Sequence, residues 1–199
     1  MIRVLVTLEN TSPLLMNPMS REKLLEIRDK QYKPKNRNRT LEQEAGEKLY
    51  RASNGKGSVG IPAENLMACL VAAGRNVQYA GKKNISNAES TILPAFLHLD
   101  GDFFPFAGKP KWEVDVRRGV NQDGGSNCIV RPKFRKWEMA VPVEIDESQE
   151  VSEETIRKLF DWAGRAVGLC DFRPAKKGIF GCFRVKQWKV TGRSHKGKK

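Results

Sequence analysis

The stretch "GLCDFRPAKKGIFGCFRV" (residues 168–185) concentrates residue types that bind nucleic acid. Its three glycines let a backbone approach a partner closely or adopt a positive φ. Basic side chains neutralise phosphates, and aromatic rings stack on bases, a contact worth about 1–3 kcal/mol per base. The candidate phosphate contacts are Arg173, Lys176, Lys177 and Arg184, and the candidate stacking side chains are Phe172 and Phe180.

Each of these residue types also has an ordinary structural use. Glycines open turns, phenylalanines beside a strand fill a core, and basic side chains on a loop are often only solvated. The charge of the whole chain favours binding, because 36 Lys and Arg against 23 Asp and Glu give a net charge of +13. Such an excess raises the local concentration of polyanions. We therefore interpret the stretch as a loop that binds a nucleic-acid backbone.

Residues able to catalyse RNA cleavage are few. Metal-independent cleavage uses a positioned proton carrier, usually histidine, and the chain has only His98 and His195. We expect His98 to be a half-buried strand residue and His195 to lie in a tail. The "DGD" at 100–102 has D-x-D spacing but is also an ordinary turn. The sequence predicts a protein that is not an enzyme and has no cofactor or metal.

Cysteine spacing and hydropathy exclude further classes. The four cysteines show neither C-x2-C spacing nor a histidine cluster nearby, so we predict free thiols rather than a zinc site. No run of 18 apolar residues is present to cross a bilayer, and the first residues lack the apolar core of a signal peptide. We predict a cytoplasmic protein with no membrane partner.

Hydrophobic periodicity predicts the strands and helices that must position the loop. Alternation of apolar and polar residues indicates strands, and apolar residues at helical spacing indicate helices, the second with Ser152 as its N-cap. The predicted strands cover 2–9, 90–100, 133–146 and 179–190, and the predicted helices cover 61–75 and 151–168.

Two insertions interrupt this series. Residues 20–57 are rich in charge, and between 28 and 39 six basic residues meet one acid. We interpret this segment as exposed or ordered by a ligand. Residues from about 103 to 131 contain "NQDGGSN" between alternating stretches, which predicts a protruding, thumb-like hairpin. Further candidate nucleic-acid contacts are Lys33, Lys35, Arg37 and Arg39 in the first insertion, and Arg131, Lys133 and Arg135 beside the second.

The element order is βαββαβ, which predicts an α+β ferredoxin-like palm of the RNA-recognition-motif type. We expect residues 1–190 to form one domain with insertions and residues 191–199 to form a basic, disordered tail. In this topology we expect the 168–185 stretch at one end of the sheet, near the start of the first strand.

Two stretches resemble a known superfamily. "VGIPAENLMACLVAAGR" (59–75) resembles the opening of the first helix in the RAMP superfamily of CRISPR-associated proteins, and "GLCDFRPAKKGIFGCFRV" resembles its glycine-rich loop. The resemblance implies a palm with inserted elements. It is strongest to the backbone subunits of Cascade-like effector complexes, in which a hairpin thumb lies between the middle strands and the subunits polymerise along guide RNA.

The resulting hypothesis is a sequence-independent, single-stranded nucleic-acid-binding subunit, with RNA ahead of DNA, repeated along a ribonucleoprotein complex for antiviral defence. Its partners would be guide RNA, a complementary target strand, other copies of itself and other effector subunits. Three alternatives stay open: a stand-alone single-strand-binding protein of a phage or mobile element, a metal-independent endoribonuclease centred on His98, Tyr32 or Tyr50, and a structural assembly protein.

Overall fold

The computed structural model describes residues 1–19, 21–31, 38–53, 57–79, 81, 83–120, 124–147 and 151–193. Lys33, Lys35, Arg37 and His195 lie outside the described residues. The strands are β1 (Ile2–Asn10), β2 (Leu14–Leu15), β3 (Gly60–Pro62), β4 (Gln78–Tyr79), β5 (Lys83–Asn84), β6 (Leu97–Leu99), β7 (Phe103–Pro105), β8 (Glu113–Val120), β9 (Ser126–Phe134), β10 (Glu138–Ile145) and β11 (Phe183–Arg193). The α-helices are α1 (Arg21–Arg28), α2 (Leu41–Gly46), α3 (Ala63–Ala73) and α4 (Glu153–Trp162).

The main sheet has the strand order β11-β1-β10-β6, and every neighbouring pair is antiparallel. Along the chain its elements follow one another as β1, α3, β6, β10, α4 and β11. This combination is the ferredoxin-like βαββαβ arrangement. The predicted α+β palm is therefore confirmed.

The core lies between one face of the main sheet and the helices α3 and α4. Alternate residues of β1 point into it, because successive side chains of a strand lie on opposite faces. The intervening residues, Arg3, Thr7 and Glu9 among them, lie on the opposite face, which we call the open face. The buried contacts from β1 are Ile2, Val4, Val6 and Leu8, and those from the helices include Leu66, Leu70, Ile156, Leu159 and Phe160.

Both predicted helices form, with adjusted ends. Ser152 is the N-cap of α4, and its side chain accepts a hydrogen bond from the Thr155 backbone N–H. A π-helical turn over Ala163–Val167 extends α4 to the glycine-rich loop. Pro62 was expected in the first turn of its helix but is the extended N-cap of α3, because it still pairs with Phe103 in the β3–β7 ladder.

The strand predicted over 90–100 is much shorter than expected. Only Leu97–Leu99 is extended, and Leu93–Ala95 forms a 3-10 turn instead. Pro94 explains the difference, since proline has no N–H for a ladder and its fixed φ suits the first positions of such a turn.

The predicted hairpin is present between β6 and β10. Strands β8 and β9 pair antiparallel from Glu113 opposite Lys133 to Val120 opposite Ser126. The hairpin thus continues to Phe134, beyond the predicted limit of 131, and β10 begins only at Glu138. Lys133 therefore belongs to the hairpin and not to the following palm strand.

The end of the 20–57 insertion is folded against the hairpin rather than exposed. Helix α2 begins with a capping box between Thr40 and Gln43, and it buries Ala45. Lys48 then donates a hydrogen bond from Nζ to the Val130 carbonyl of β9 at 2.6 Å. In contrast, α1 has no fully buried side chain among those described.

The last strand is displaced from its predicted range of 179–190. Residues 179–182 close the preceding loop, and β11 runs from Phe183 to Arg193, where Arg193 pairs with Ile2. The predicted disordered tail is therefore wrong for residues 191–193. Thr191 also donates a hydrogen bond to the Arg3 carbonyl, and residues 194–199 lie outside the described residues.

Candidate nucleic-acid interface

The glycine-rich loop (residues 168–182) lies beside the end of β1. Phe183 pairs with Asn10, and the Thr11 N–H donates to the Cys182 carbonyl at 2.9 Å. The expectation that the loop lies near the start of the first strand was wrong. Because β11 is antiparallel to β1, the beginning of β11 meets the end of β1.

The glycines of this loop allow its two limbs, residues 168–172 and 178–182, to approach each other. A Cβ on Gly178 would lie 1.7 Å from the Phe172 carbonyl oxygen, and one on Gly181 would lie 2.0 Å from the Leu169 oxygen. Hydrogen bonds join the limbs, from Leu169 N–H to the Gly181 carbonyl at 2.9 Å and from Phe180 N–H to the Phe172 carbonyl at 3.1 Å. The close approach is thus within the loop itself, which is a closed, folded unit.

The loop also holds three non-glycine residues in left-handed backbone conformation. They are Cys170 with φ 60°, Phe172 with φ 49° and Lys177 with φ 60°. Each costs conformational energy that the surrounding contacts must offset, and such residues cluster at functional sites. The strain is typical of a functional site rather than of a simple connection.

A buried ion-pair network joins the loop to the hairpin. Arg131 of β9 is only 4% exposed. Its Nη1 donates to Asp171 Oδ2 of the loop at 2.7 Å, and its Nη2 donates to Asp115 Oδ1 of β8 at 3.4 Å. Arg117 also donates from Nε to Asp115 at 2.8 Å. The network fixes the position of the loop relative to the hairpin.

The network changes the interpretation of Arg131 as a phosphate contact. Its guanidinium is buried between two carboxylates, so it does not face solvent in this structure. Its Nε has no hydrogen-bond partner among the described residues. We assign Arg131 the role of positioning the loop and leave it out of the binding set proposed below.

Lys133 and Arg135 share one carboxylate at the base of the hairpin. Lys133 Nζ lies 2.5 Å and Arg135 Nη2 lies 2.9 Å from Glu113 Oε1. Hydrogen bonds from these two cations hold the pKa of Glu113 below its usual range. Lys133 is partly buried, whereas Arg135 is largely exposed but is held by Glu113 through both Nε and Nη2.

The two predicted stacking residues have different surroundings. Phe172 is 40% exposed, and its ring centroid lies 6.0 Å from that of Phe180. Phe180 is only 5% exposed and carries the Arg117 guanidinium 4.7 Å from its ring centroid. Phe172 is therefore the exposed member of the pair, and Phe180 is a buried neighbour that packs against it.

The remaining predicted cations fall into three groups. Lys176 and Lys177 are exposed on the loop and have no ion-pair partner within the residues that the structure describes. Arg173 donates from Nη1 to the Cys170 carbonyl at 2.6 Å. Arg184 lies on the open face 2.6 Å from Glu9, and Arg39 is ion-paired with Glu47.

A cavity of about 230 Å³ opens between the loop and α3. Burial raises the pKa of the Cys69 thiol to about 12, so this wall is neutral at neutral pH. Burial also raises the pKa of Tyr50, whose hydroxyl is hydrogen-bonded to Asn65. The polar residues that line the cavity include Asn17, Tyr50, Asn65, Asp171 and Arg173.

Of the catalytic candidates, Tyr50 lines the cavity beside the loop and His98 lies away from it. His98 was expected to be half-buried but is exposed on β6, at the opposite edge of the main sheet from β11. Across the described ranges, no cluster of three or more His, Cys, Asp or Glu side chains is placed to hold a metal ion.

In the same part of the chain, no helix has the length and apolar character needed to cross a membrane.

Sequence reasoning missed Arg117, Asn17 and Asn65. The signal for Arg117 is its position two residues after Asp115 in a strand, which places both side chains on the same face of the hairpin. Asn17 and Asn65 come from separate segments, and only the folded chain brings them to one cavity.

Among the comparisons with known proteins, only the one with solved structures finds a match. No family model and no curated protein matches the chain. A solved structure described as "Cryo-EM structure of the Type III-B Cmr-beta bound to cognate target RNA" contains a similar chain, with 10% sequence identity and a TM-score of 0.49. The match covers 95% of the present chain and 60% of that chain. A likeness of this degree assigns no function.

Proposed function

We propose that the protein binds single-stranded RNA through the exposed surface of the glycine-rich loop and the adjoining base of the hairpin. The observation that carries the proposal is that one strained, closed loop holds the exposed Phe172 and two lysines, Lys176 and Lys177, that have no ion-pair partner among the described residues. Arg173 extends this surface, and Arg135 adds a weaker contact because it is already paired with Glu113. Cations that neutralise phosphates and a ring that stacks on a base are the parts of a single-strand-binding site.

The protein acts as a repeated subunit of a ribonucleoprotein complex in this proposal. Two elements outside the palm leave large apolar side chains exposed, Val120 at 67% near the hairpin tip and Leu24 at 54% on α1. Exposed apolar side chains on protruding elements suit contacts between subunits. Other copies of the chain and other effector subunits are the partners that the RAMP resemblance implies.

Binding without catalysis is part of the proposal. The loop surface holds cations and a ring but no histidine, and the carboxylates that join the loop to the hairpin, Asp115 and Asp171, are paired with Arg131. General acid–base cleavage requires a proton carrier within hydrogen-bond reach of the scissile phosphate. Incubation with structured RNA should therefore leave the RNA intact, and specific cleavage would overturn this part.

The test of RNA binding is the salt dependence of affinity for a labelled single-stranded RNA. Each neutralised phosphate should contribute a slope of about −0.7 in log affinity against log salt. An affinity that does not change between low and high salt would overturn the proposal.

A second measurement separates the guide-carrying subunit from its alternatives. Nucleic acid extracted from the freshly purified protein should be RNA of uniform length with a shared sequence. Heterogeneous RNA or DNA would instead favour a stand-alone single-strand-binding protein. Protein that is free of nucleic acid and does not bind added oligonucleotides would favour a structural assembly protein.

A further inference from the structure

We propose that the cavity between the glycine-rich loop and α3 holds one base of the bound RNA, with guanine preferred. The inference rests on the proposed function, because the base must come from an RNA strand that is bound to the loop. It goes further than that function, since a sequence-independent backbone contact needs no base pocket.

The cavity has an exposed rim and a buried wall, as a pocket for a turned-out base requires. Its rim includes the exposed residues Asn17 and Ala68, and its inner wall includes the buried Cys69. Arg173 lies in the lining only three residues before Lys176, one of the proposed backbone contacts. Sequence-specific proteins read single-stranded RNA from bases that are splayed out of the strand.

Hydrogen-bonding groups of both kinds remain available in the cavity. Arg173 uses Nη1 for the Cys170 carbonyl, and its Nε and Nη2 have no partner within the described ranges. Asn17 uses Nδ2 for Asp171 Oδ2 at 3.2 Å, so its Oδ1 is left as an acceptor. The lining thus offers a donor fork and a separate acceptor.

The combination of donors, acceptors and opposite charges in the cavity lining favours a base over a phosphate as its ligand. The lining contains one cation, Arg173, and one anion, Asp171, and a phosphate entering it would meet the carboxylate. A base is neutral and has donors and acceptors along its edges. Guanine fits best, because an arginine fork pairs with its O6 and N7, while its N1–H and N2–H₂ groups can donate to Asn17 and Asp171.

The test uses uridine 9-mers whose central nucleotide is uridine, cytidine, adenosine, guanosine or an abasic spacer. Fluorescence anisotropy would measure their affinities for the wild type and for Ala68→Trp, which places a large ring at the cavity rim. Glu64→Trp is the matched control, since it adds the same ring at an exposed α3 position outside the cavity lining.

We expect the guanosine 9-mer to bind wild type and Glu64→Trp about tenfold more tightly than the uridine 9-mer, a discrimination within the range of one bidentate pair. In Ala68→Trp the five affinities should become equal, with the salt slope unchanged. Equal affinities in wild type, with a normal salt slope, would overturn the pocket and leave the proposed function standing. Tighter binding of another base, abolished by Ala68→Trp, would overturn the assignment of guanine. Failure of all five RNAs to bind would overturn the proposed function itself.

Discussion

The open face of the main sheet and the glycine-rich loop both carry basic side chains, but in different surroundings. On the open face, Arg3 lies 2.8 Å from Glu144, and Arg184 lies 2.6 Å from Glu9. On the loop, Lys176 and Lys177 have no carboxylate partner among the described residues. A cation that already has a carboxylate partner gains less from a phosphate, because that partner must first be displaced or will repel the phosphate.

The comparison teaches that the charge of a surface depends on pairing and not only on the number of basic residues. Arg184 and Lys177 are equivalent as sequence features, since both are basic residues in one stretch. The fold places one on a strand opposite Glu9 and the other at the tip of a closed loop. We expect only the second surface to bind RNA strongly.

The largest expected effect tests the link between the loop and the hairpin. Arg131→Met removes the cation that Asp115 and Asp171 share, but Asp115 keeps Arg117 and Asp171 is partly exposed, so the loss should lie near the lower end of the about 3–5 kcal/mol that breaking a buried ion pair costs. The free energy of unfolding from urea denaturation should fall by an amount in this range. The control Arg184→Met removes an exposed pair and should cost much less than Arg131→Met. Equal losses in the two variants would contradict the linking role of Arg131.

The second prediction tests whether the loop must close on itself. Gly178→Ala places a Cβ against the Phe172 carbonyl, and overpacking of this kind costs about 1–3 kcal/mol. Gly46→Ala is the control, because its Cβ would meet nothing nearer than 4.0 Å and alanine is the better helix former in α2. Urea denaturation should show a loss only for Gly178→Ala, and RNA affinity should fall in that variant alone. A neutral Gly178→Ala would show that the loop is not tightly closed.

The third prediction compares the two surfaces at equal net charge. Lys176→Ala with Lys177→Ala, and Arg184→Ala with Lys186→Ala, each lower the formal net charge by two, from +13 to +11. We expect the loop pair to lose about tenfold in RNA affinity, or about 1.4 kcal/mol, and to lower the salt slope by about 1.4. The open-face pair should change affinity by less than about threefold on the same free-energy scale. Equal losses would mean that total charge, and not location, decides binding.

The smallest expected effect concerns Glu9 on the open face. A hydrogen bond from Arg184 is the main cause that lowers the pKa of Glu9 below its ordinary value, with Lys186 adding to it. Because the pKa is lowered in the folded state, this pair stabilises the fold above the unfolded pKa of Glu9. That stabilisation is lost as the pH falls through the folded pKa. An NMR titration should show a lowered Glu9 pKa that rises in Arg184→Ala, and an unchanged pKa would contradict the pairing.

Much of the palm was predictable from the sequence. The alternation of apolar and polar residues predicted β1 and β10. Apolar residues at helical spacing after a capping serine predicted α4, and the glycine-rich turn predicted the hairpin. The errors include places where contacts between distant residues override the local signal. The last strand begins four residues later than predicted, because Ile179 and Phe180 look like strand residues although hydrogen bonds to Phe172 and Pro13 hold this segment in the loop.

The sequence by itself determined the order of the palm elements and the residue types that bind nucleic acid. Both are local properties, set by periodicity, capping and side-chain chemistry. The tertiary structure decided which of those residues are available. Arg131 became a buried link because Asp115 and Asp171 reach it from separate segments, whereas Phe172 stayed exposed although its neighbour Phe180 is buried. Pairing and burial depend on contacts between residues far apart in the chain, and no local pattern encodes them.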